Sequence, residues 1–140
     1  MFKVKILSIG KTKETWLEDA LSEYIKRLTP IAAIEFVWAK NEAQLLQLAE
    51  KEASIVCLDA SGKQMDSEQF AVFIQEKLEL GGTRLTFVIG GPEGLPRALK
   101  QDAALLSLSL MTFTHQIARL ILLEQLYRAF EIAKGSKYHK

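Results

Sequence analysis

The positions of apolar and polar residues follow two alternating periods along the chain. Stretches with an apolar residue at every second position, or at nearly all positions, predict strands, and apolar residues three or four apart predict helices. The predicted strands are Lys3–Ile9, Ile34–Trp38, Ser54–Leu58, Arg84–Ile89 and Leu105–Leu110. The predicted helices are Thr15–Leu28, Asn41–Lys51, Asp66–Leu80, Pro96–Gln101 and Gln116–Ala133. This alternation indicates one α/β domain with a mostly parallel sheet flanked by helices.

Polar residues three positions apart predict where three of the helices begin. In each pair the first side chain can accept a hydrogen bond from the backbone N–H of the second residue. The pairs are Thr15 and Glu18, Asn41 and Gln44, and Asp66 and Gln69. Gly81-Gly82 predicts the end of the third helix, because glycine is favoured just past a helix end. The predicted apolar face of the first helix comprises Trp16, Ala20, Leu21, Tyr24, Ile25 and Leu28.

The last predicted helix is apolar on more than one face. Its apolar residues include Ile117, Leu120, Ile121, Leu122, Leu123, Leu126, Tyr127, Ala129 and Phe130. A helix at the surface of a small domain normally shows one apolar stripe. A two-sided helix is either buried centrally or shared with a second subunit, and the small size of the domain favours the second interpretation. We therefore expect a homodimer.

Composition narrows the class of protein. With 18 basic and 17 acidic residues in 140, the net charge of +1 does not indicate a nucleic-acid binder. Basic residues nevertheless gather at the ends, six against four acidic in residues 1–30 and five against two in residues 115–140. If the ends meet, they form a modest basic surface. The single Cys57 cannot form an internal disulfide, and no apolar stretch approaches the ~18 residues that span a bilayer, so we expect a cytoplasmic protein without a membrane segment.

Open α/β sheets bind ligands at the carboxyl ends of their strands. Three segments follow such ends: Leu58-Asp59, the glycine-rich turn Ile89–Gly94, and Ser107–His115. Glycines let the backbone approach a ligand closely, but their spacing matches neither a dinucleotide-binding motif nor a phosphate-binding loop. Backbone groups and apolar side chains of the third segment could hold an adenine. Each segment also has a plain structural interpretation, respectively a loop cap at Asp59, a tight turn, and a strand that completes its core packing.

Two histidines could transfer a proton near neutral pH, His115 before the last helix and His139 beside the end of the chain. No His, Cys, Asp and Glu residues have the spacing of metal ligands, and Cys57 lies in the middle of a strand. We therefore expect neither a metal site nor a covalent nucleophile. The tail, Lys134–Lys140, combines basic residues with an aromatic one, as RNA-binding segments do. A solvated, frayed terminus is the alternative interpretation.

Several motifs together resemble one known family. They are Ile89–Gly94, Ser107-Leu108-Ser109 with Thr112, His115 with Arg119, Leu126-Tyr127-Arg128-Ala129, and Tyr138-His139. In this order and separation they are similar to the RlmH family, the ribosomal RNA large-subunit methyltransferases H of the SPOUT superfamily. Gly10 and Glu23-Tyr24 also fit, so the resemblance covers the whole chain.

The resemblance implies a fold, a reaction and partners. The fold is a single SPOUT methyltransferase domain over residues 1–140, with a C-terminal trefoil knot. The reaction transfers a methyl group from S-adenosylmethionine to N3 of a pseudouridine in helix 69 of 23S rRNA, on the assembled 70S ribosome. The family works as a homodimer with the site at the interface, and the chemistry requires no metal.

The resemblance also implies roles for individual residues. The cofactor-binding positions are Leu58, Gly90, Leu108, Ser109, Leu110, Met111, Thr112 and Phe113. The expected catalytic residues are His139, His115 and Arg119, and Arg128 and Tyr138 are expected to bind the RNA substrate. A histidine would take the N3 proton, and an arginine would stabilise the developing anion or hold the adjacent phosphate. Two other functions stay open, a SPOUT methyltransferase of another RNA such as tRNA, and a non-enzymatic ribosome-binding factor.

Overall fold

Five strands and five helices alternate along the chain in the computed structural model, which describes residues 1–80 and 82–139. The strands are β1 (Phe2–Ile9), β2 (Ala32–Ala39), β3 (Ile55–Gln64), β4 (Arg84–Ile89) and β5 (Ala104–Ser107). The helices are α1 (Thr15–Leu28), α2 (Glu42–Glu50), α3 (Ser67–Leu80), α4 (Arg97–Asp102) and α5 (His115–Ala133). The predicted order of elements and the α/β class are therefore confirmed. The predicted helix stop at Gly81 and the last tail residue, Lys140, lie outside the described residues.

The strands form one sheet in the order β2-β1-β4-β3-β5, and every described pairing is parallel. Both faces of the sheet are covered, as the nearly continuous apolar sequences of β3 and β4 predict. Helices α1, α3 and α5 pack on one face, and α2 and α4 pack on the other. The parallel arrangement brings the carboxyl ends of β1, β4, β3 and β5 to one edge of the sheet.

Alternation along β1, which lies between β2 and β4, shows how the sequence divides between the two cores. Val4 and Ile6 pack into the core formed with α1, α3 and α5, whereas Leu7 packs against α2 and α4. Ser8 follows Ile6 on the first of these faces and is fully buried. A buried hydroxyl needs a hydrogen-bond partner, and the Ser8 hydroxyl accepts from the charged side chain of Arg119.

Central burial explains much of the apolar circumference of α5. The helix packs against both α1 and α3. Leu122, Leu123 and Leu126 are fully buried within this single chain. Central burial thus explains part of the two-sided pattern, but Ile117 and Ile121 are only half-buried and belong to neither core, so the homodimer stays a prediction.

Two of the three predicted helix starts are confirmed. The side chain of Asn41 accepts a hydrogen bond from the backbone N–H of Gln44 at 2.9 Å, and Asp66 accepts one from Gln69 at 2.7 Å. The third was wrong, because the chain already enters the helix at Thr15 and the cap position is Glu14, which makes no side-chain cap. Five of the six residues predicted for the apolar face of α1 are buried or half-buried, and only the first of them, Trp16, is wrong. Leu17 is buried at its start, whereas Trp16 is 58% exposed, because adjacent helical residues point about 100° apart.

The structure corrects the ends of two predicted strands. Strand β3 does not stop at Leu58; its pairing with β5 shifts register and resumes at Lys63. A Cβ at Gly62 would lie 2.6 Å from the backbone of Leu105, so this polar extension can press against β5 only with glycine there. Strand β5 ends at Ser107 and not at Leu110, and the Ser107 hydroxyl donates to the Ser109 carbonyl at 2.8 Å as the chain leaves the sheet.

Cys57 lies in the core between the sheet, α2 and α4, and we expect it to be unreactive in the folded protein. Burial is the largest cause that raises the pKa of its thiol to about 11, and Asp59 adds to the effect. At pH 8 only about one thiol in a thousand would then be ionised, and the thiolate is the reactive form. A thiol-specific reagent at pH 8 should therefore label the protein only as fast as it unfolds. Rapid stoichiometric labelling without denaturant would contradict the buried placement.

Candidate functional site

The carboxyl edge of the sheet encloses a cavity of about 530 Å³, which lies within the roughly 300–1,000 Å³ of small-molecule sites. Three chain segments form its walls: the end of β3, the turn after β4, and the loop after β5. The start of α5 closes it. The lining residues are Leu58, Asp59, Ala60, Ile89, Gly90, Gly91, Pro92, Gly94, Leu95, Leu108, Ser109, Met111, Thr112, Phe113, Thr114, His115 and Ala118.

Seven of the eight positions expected to bind a cofactor line this one cavity. Leu58, Gly90, Leu108, Ser109, Met111, Thr112 and Phe113 come together there from three separate segments. The side chain of the eighth, Leu110, is 80% exposed and lies outside the lining. Segments as much as 55 positions apart in the sequence thus meet, because they all follow carboxyl ends of parallel strands.

The glycine-rich turn after β4 has a conformation that only glycine permits at two positions. Gly94 has φ = +84° and donates its N–H to the Gly91 carbonyl at 2.9 Å, which closes the turn. A Cβ on Gly90 would lie 2.5 Å from the backbone carbon and oxygen of Gly94. The turn therefore presents bare backbone to the cavity, as a site that binds a flat ring through backbone groups requires.

The loop after β5 is held by its own short hydrogen bonds. The Ser109 hydroxyl accepts from the backbone N–H of Met111 at 3.0 Å. Thr114 then caps α5 by accepting from the backbone N–H of Ile117 at 3.2 Å. These contacts order the loop, while the side chain of Met111 stays 75% exposed at the mouth of the cavity.

Asp59 and His115 are the titratable side chains among the described residues that line the cavity. Partial burial by itself raises the pKa of Asp59, but hydrogen bonds from Ser61 and the charge of Lys100 outweigh it and lower the pKa overall. Asp59 therefore carries a negative charge, and Lys100 lies 3.4 Å from it. For His115, burial and the nearby Arg119 charge both lower the pKa, which favours the neutral imidazole.

Arg119 does not line the cavity but lies buried behind its wall, with no exposed surface. Its guanidinium lies 4.6 Å from the centre of the Trp38 ring. All five N–H groups of the guanidinium are used, and each partner is a neutral oxygen. These are Ser8 Oγ at 3.0 Å, Thr12 Oγ1 at 3.0 Å, Gln116 Oε1 at 3.0 Å, and the carbonyls of Ile9 at 2.8 Å and Gly10 at 2.5 Å. Arg119 therefore ties the start of α5 to the end of β1.

Replacing Arg119 with methionine should destabilise the protein by about 2–4 kcal/mol, because it leaves buried carbonyls and hydroxyls without donors. For a chain of this size the melting temperature should fall by about 10 °C. The measurement is thermal unfolding followed by circular dichroism. As a control, Arg97→Met changes an exposed arginine of α4 and should shift the transition by no more than about 2 °C. Equal melting temperatures for the two variants would contradict the structural role of Arg119.

The other expected site residues form a second group, the tail cluster, comprising Glu124, Tyr127, Arg128, Tyr138 and His139. Glu124 accepts from Arg128 at 3.0 Å and from the Tyr138 hydroxyl at 3.2 Å. The Tyr138 ring meets Tyr127 edge-on at 4.8 Å and lies under the Arg128 guanidinium at 5.0 Å. Burial is the largest cause that raises the pKa of Tyr138 to about 12, so its hydroxyl stays protonated and donates. The tail thus folds back onto α5, and for these residues the frayed terminus that we considered is not what the structure shows.

His139 completes the tail cluster. Its Nδ1 lies 3.0 Å from an Arg128 nitrogen, and its Nε2 lies 3.7 Å from a Glu68 oxygen. Arginine can only donate, so Nδ1 accepts and the ring proton sits on Nε2, facing Glu68. Arg128 lies 13 residues after His115 on α5, about 20 Å along the helix axis. Within one chain, the tail cluster and the cavity are therefore separate.

Sequence reasoning missed the polar residues that surround Arg119, namely Ser8, Thr12 and Gln116. A signal for two of them exists. Ser8 occupies a core-facing position in an otherwise apolar strand, and Gln116 precedes Arg119 by three residues, which places both on one helix face. Thr12 and the two backbone carbonyls carry no comparable signal.

Two observations concern the described residues as a whole. Among the side chains that the structure describes, no three of His, Cys, Asp or Glu group as metal ligands would. In the same part of the chain, no helix combines the length and apolar character needed to cross a bilayer.

Comparison with known proteins gives consistent matches along the full chain. The family described as "Predicted SPOUT methyltransferase" matches residues 2–139. A protein of Protochlamydia amoebophila named "Ribosomal RNA large subunit methyltransferase H" is 60% identical over 140 residues, covering 100% of both chains. A protein of the same name from Coprothermobacter proteolyticus is 45% identical over 139 residues, covering 99% of both.

Solved structures show the same fold at low sequence identity. A probable methylase family protein from Haemophilus influenzae has a TM-score of 0.58 at 8% identity, covering 99% of this chain and 70% of that one. A probable methyltransferase from Bordetella pertussis has a TM-score of 0.59 at 10% identity, covering 91% of this chain and 96% of that one. These likenesses concern the fold alone.

Proposed function

The chain belongs to the ribosomal RNA large subunit methyltransferase H family of SPOUT methyltransferases, and from this premise we propose that it methylates N3 of a pseudouridine in helix 69 of 23S rRNA. The methyl donor would be S-adenosylmethionine, and the substrate would be the assembled 70S ribosome in the cytoplasm. The observation that carries the proposal is the cavity at the carboxyl edge of the sheet, where seven positions expected to bind this cofactor meet.

The residues around the cavity suit S-adenosylmethionine in shape and in chemistry. Gly90 and Gly91 expose backbone, and Leu58, Leu95 and Leu108 supply apolar walls for a flat purine. The cofactor is a sulfonium cation, and the ionised Asp59 is the charged group that the cavity offers to it. When bound, it supplies a methyl group already activated by the positive sulfur, so no metal or covalent intermediate is needed.

The remaining chemistry falls to the protein's own side chains. The imide N3 of pseudouridine becomes a nucleophile only when its proton leaves, so a base near neutrality helps. His115 at the cavity and His139 in the tail cluster are the two proposed groups. Arg128 would hold a phosphate or the developing anion, and Tyr138 would stack on an RNA base. Most of the acceleration would come from fixing N3 in line with the methyl carbon.

A homodimer would bring the two groups of residues together. The cavity and the tail cluster are about 20 Å apart along α5, too far for one chain to hold a base between them. The tail of a second copy could approach the cavity, where Leu110 and Met111 expose apolar surface. The active form would therefore be a homodimer, with each site built from both subunits.

The same proposal includes the chain path expected of the family. Residues 1–140 would form one domain whose C-terminal part threads a trefoil knot. Two features support it: the pairing of β3 with β5 shifts register between Leu58 and Lys63, and α5 returns from the edge strand β5 to pack between α1 and α3.

Methyl transfer from labelled S-adenosylmethionine tests the proposed function directly. Unmodified 70S ribosomes, free 23S rRNA and tRNA should be assayed in parallel, with mass mapping of any product. Label at N3 of the helix 69 pseudouridine in 70S particles is the expected result. Label on tRNA instead would establish a SPOUT methyltransferase of another RNA. Ribosome binding with neither label nor cofactor affinity would establish a non-enzymatic ribosome-binding factor.

A further inference from the structure

Three polar side chains near the start of α5, those of His115, Gln116 and Arg119, form a chain of contacts beside the cavity. Arg119 donates from Nη1 to Gln116 Oε1 at 3.0 Å. Gln116 Nε2 lies 3.4 Å from the Lys11 carbonyl and 3.4 Å from His115 Nε2. The chain of contacts thus leads from the buried guanidinium, through one amide, to the histidine in the cavity wall.

The chemistry of these groups fixes the direction of each hydrogen bond. A guanidinium has only donors, so the Gln116 atom that faces Arg119 must be the amide oxygen. The amide nitrogen then faces the other way, toward the Lys11 carbonyl and His115. Because an amide nitrogen also has only donors, His115 Nε2 must be the acceptor, and in the neutral ring the proton then sits on Nδ1.

We propose that Arg119 and Gln116 are positioning residues that hold His115 as a neutral imidazole, with Nε2 accepting from Gln116 and the proton on Nδ1. The inference rests on the proposed function only in taking the cavity as the place where methyl transfer occurs. A neutral ring there avoids repulsion with a sulfonium cation. Both ring nitrogens are then engaged, so His115 presents an N–H donor, Nδ1–H, whose position is set by the helix rather than by solvent. Of the two histidines proposed as bases, His139 rather than His115 would then take the N3 proton.

The surroundings of His115 support this protonation state. Burial is the largest cause that lowers its pKa, followed by the charge of Arg119. Asp59, on the β3 extension, is the other titratable side chain among the described residues that line the cavity. Lys11 contributes its backbone carbonyl to the network, and its side chain is exposed, as is that of Glu93 beyond the lining.

NMR of the imidazole rings tests the proposal without RNA or cofactor. The sequence contains two histidines, so a His139→Gln variant assigns the signals of His115. Long-range proton–nitrogen spectra distinguish a protonated ring nitrogen from a bare one. The expected result is a bare Nε2 and a protonated Nδ1 in the neutral ring. A protonated Nε2 in the neutral ring would overturn the proposal.

Gln116→Glu is the matched variant, because it keeps the shape and still offers Arg119 an oxygen. It replaces the donor facing His115 by a carboxylate, which favours the charged ring. The His115 pKa should therefore rise by about one unit or more. In Gln116→Met, which lacks the amide, the ring should lose its tautomer preference. An unchanged His115 tautomer and pKa in these folded variants would overturn the proposal. Because no product is measured, failure of the proposed methyl transfer would be a separate result.

Discussion

Replacing Gly90 with alanine should abolish binding of S-adenosylmethionine. The new Cβ would lie 2.5 Å from the backbone carbon and oxygen of Gly94 and 2.9 Å from the nitrogen of Leu95. All of these neighbours are backbone atoms, so rotation of a side chain cannot relieve the contacts, and the backbone of the turn must move. We expect the affinity to fall by more than about 100-fold, equivalent to about 2.7 kcal/mol. Isothermal titration calorimetry with the cofactor and its demethylated product would measure the loss.

The neighbouring glycine supplies a matched control for folding. A Cβ on Gly91 would meet only atoms of the Ile9 side chain, at 3.4 Å, which can adjust by a few tenths of an ångström. Gly91→Ala should therefore keep the melting temperature of the natural protein within about 2 °C. Gly90→Ala should lower it, because the strained turn packs on the core. If Gly90→Ala kept the cofactor affinity and the melting temperature of the natural protein, the turn would not have the shape that the structure shows.

The place of the cavity could be predicted from the sequence because it depends on topology. Alternating strand and helix patterns predict a parallel sheet, and a parallel sheet collects the segments after Leu58, Ile89 and Ser107 at one edge. No residue contact needs to be known for that step. The structure gives a different reason for glycine at this position of the turn. The sequence suggests that Gly90 lets a ligand approach the backbone closely, whereas the structure shows that the backbone of the turn itself leaves no space for a side chain.

The interior of the site could not be predicted in the same way. Arg119 looks like a catalytic or RNA-binding cation in the sequence, because arginines are seldom fully buried. Its burial depends on the carbonyls of Ile9 and Gly10, and backbone groups carry no sequence signal. The extension of β3 beyond Leu58 could not be predicted, for a related reason. Residues 59–64 are mostly polar, and only the pairing with β5 makes this segment part of a strand.

Removing residues 137–140 should abolish methyl transfer while sparing cofactor binding. The truncation deletes Tyr138 and His139 but keeps Gly135 and Ser136, whose backbone N–H groups cap the end of α5. Loss of the aromatic and cation–π contacts of Tyr138 should lower the free energy of unfolding by about 1 kcal/mol. Because the residues that line the cavity include none from the tail, cofactor affinity should change by less than about threefold. Transfer should fall by at least about 100-fold, the effect of losing a proton-transfer group.

Single substitutions separate the parts of this effect. Lys137→Ala changes an exposed residue beside the tail cluster. The rate of methyl transfer should fall by no more than one lysine–phosphate contact contributes. Tyr138→Phe keeps the ring against Tyr127 and removes only the hydroxyl that donates to Glu124. It should therefore leave most of the activity, whereas His139→Gln should lose as much as the truncation if His139 takes the N3 proton. Full activity in the truncated protein would remove the tail, and with it His139, from the reaction. Mixed dimers test whether the tail acts across subunits. One subunit would carry Gly90→Ala and keep its tail, and the other would carry the truncation and keep its cavity. Activity of this dimer would show that the tail of one subunit reaches the cavity of the other, whereas an inactive dimer would show that each tail serves its own chain.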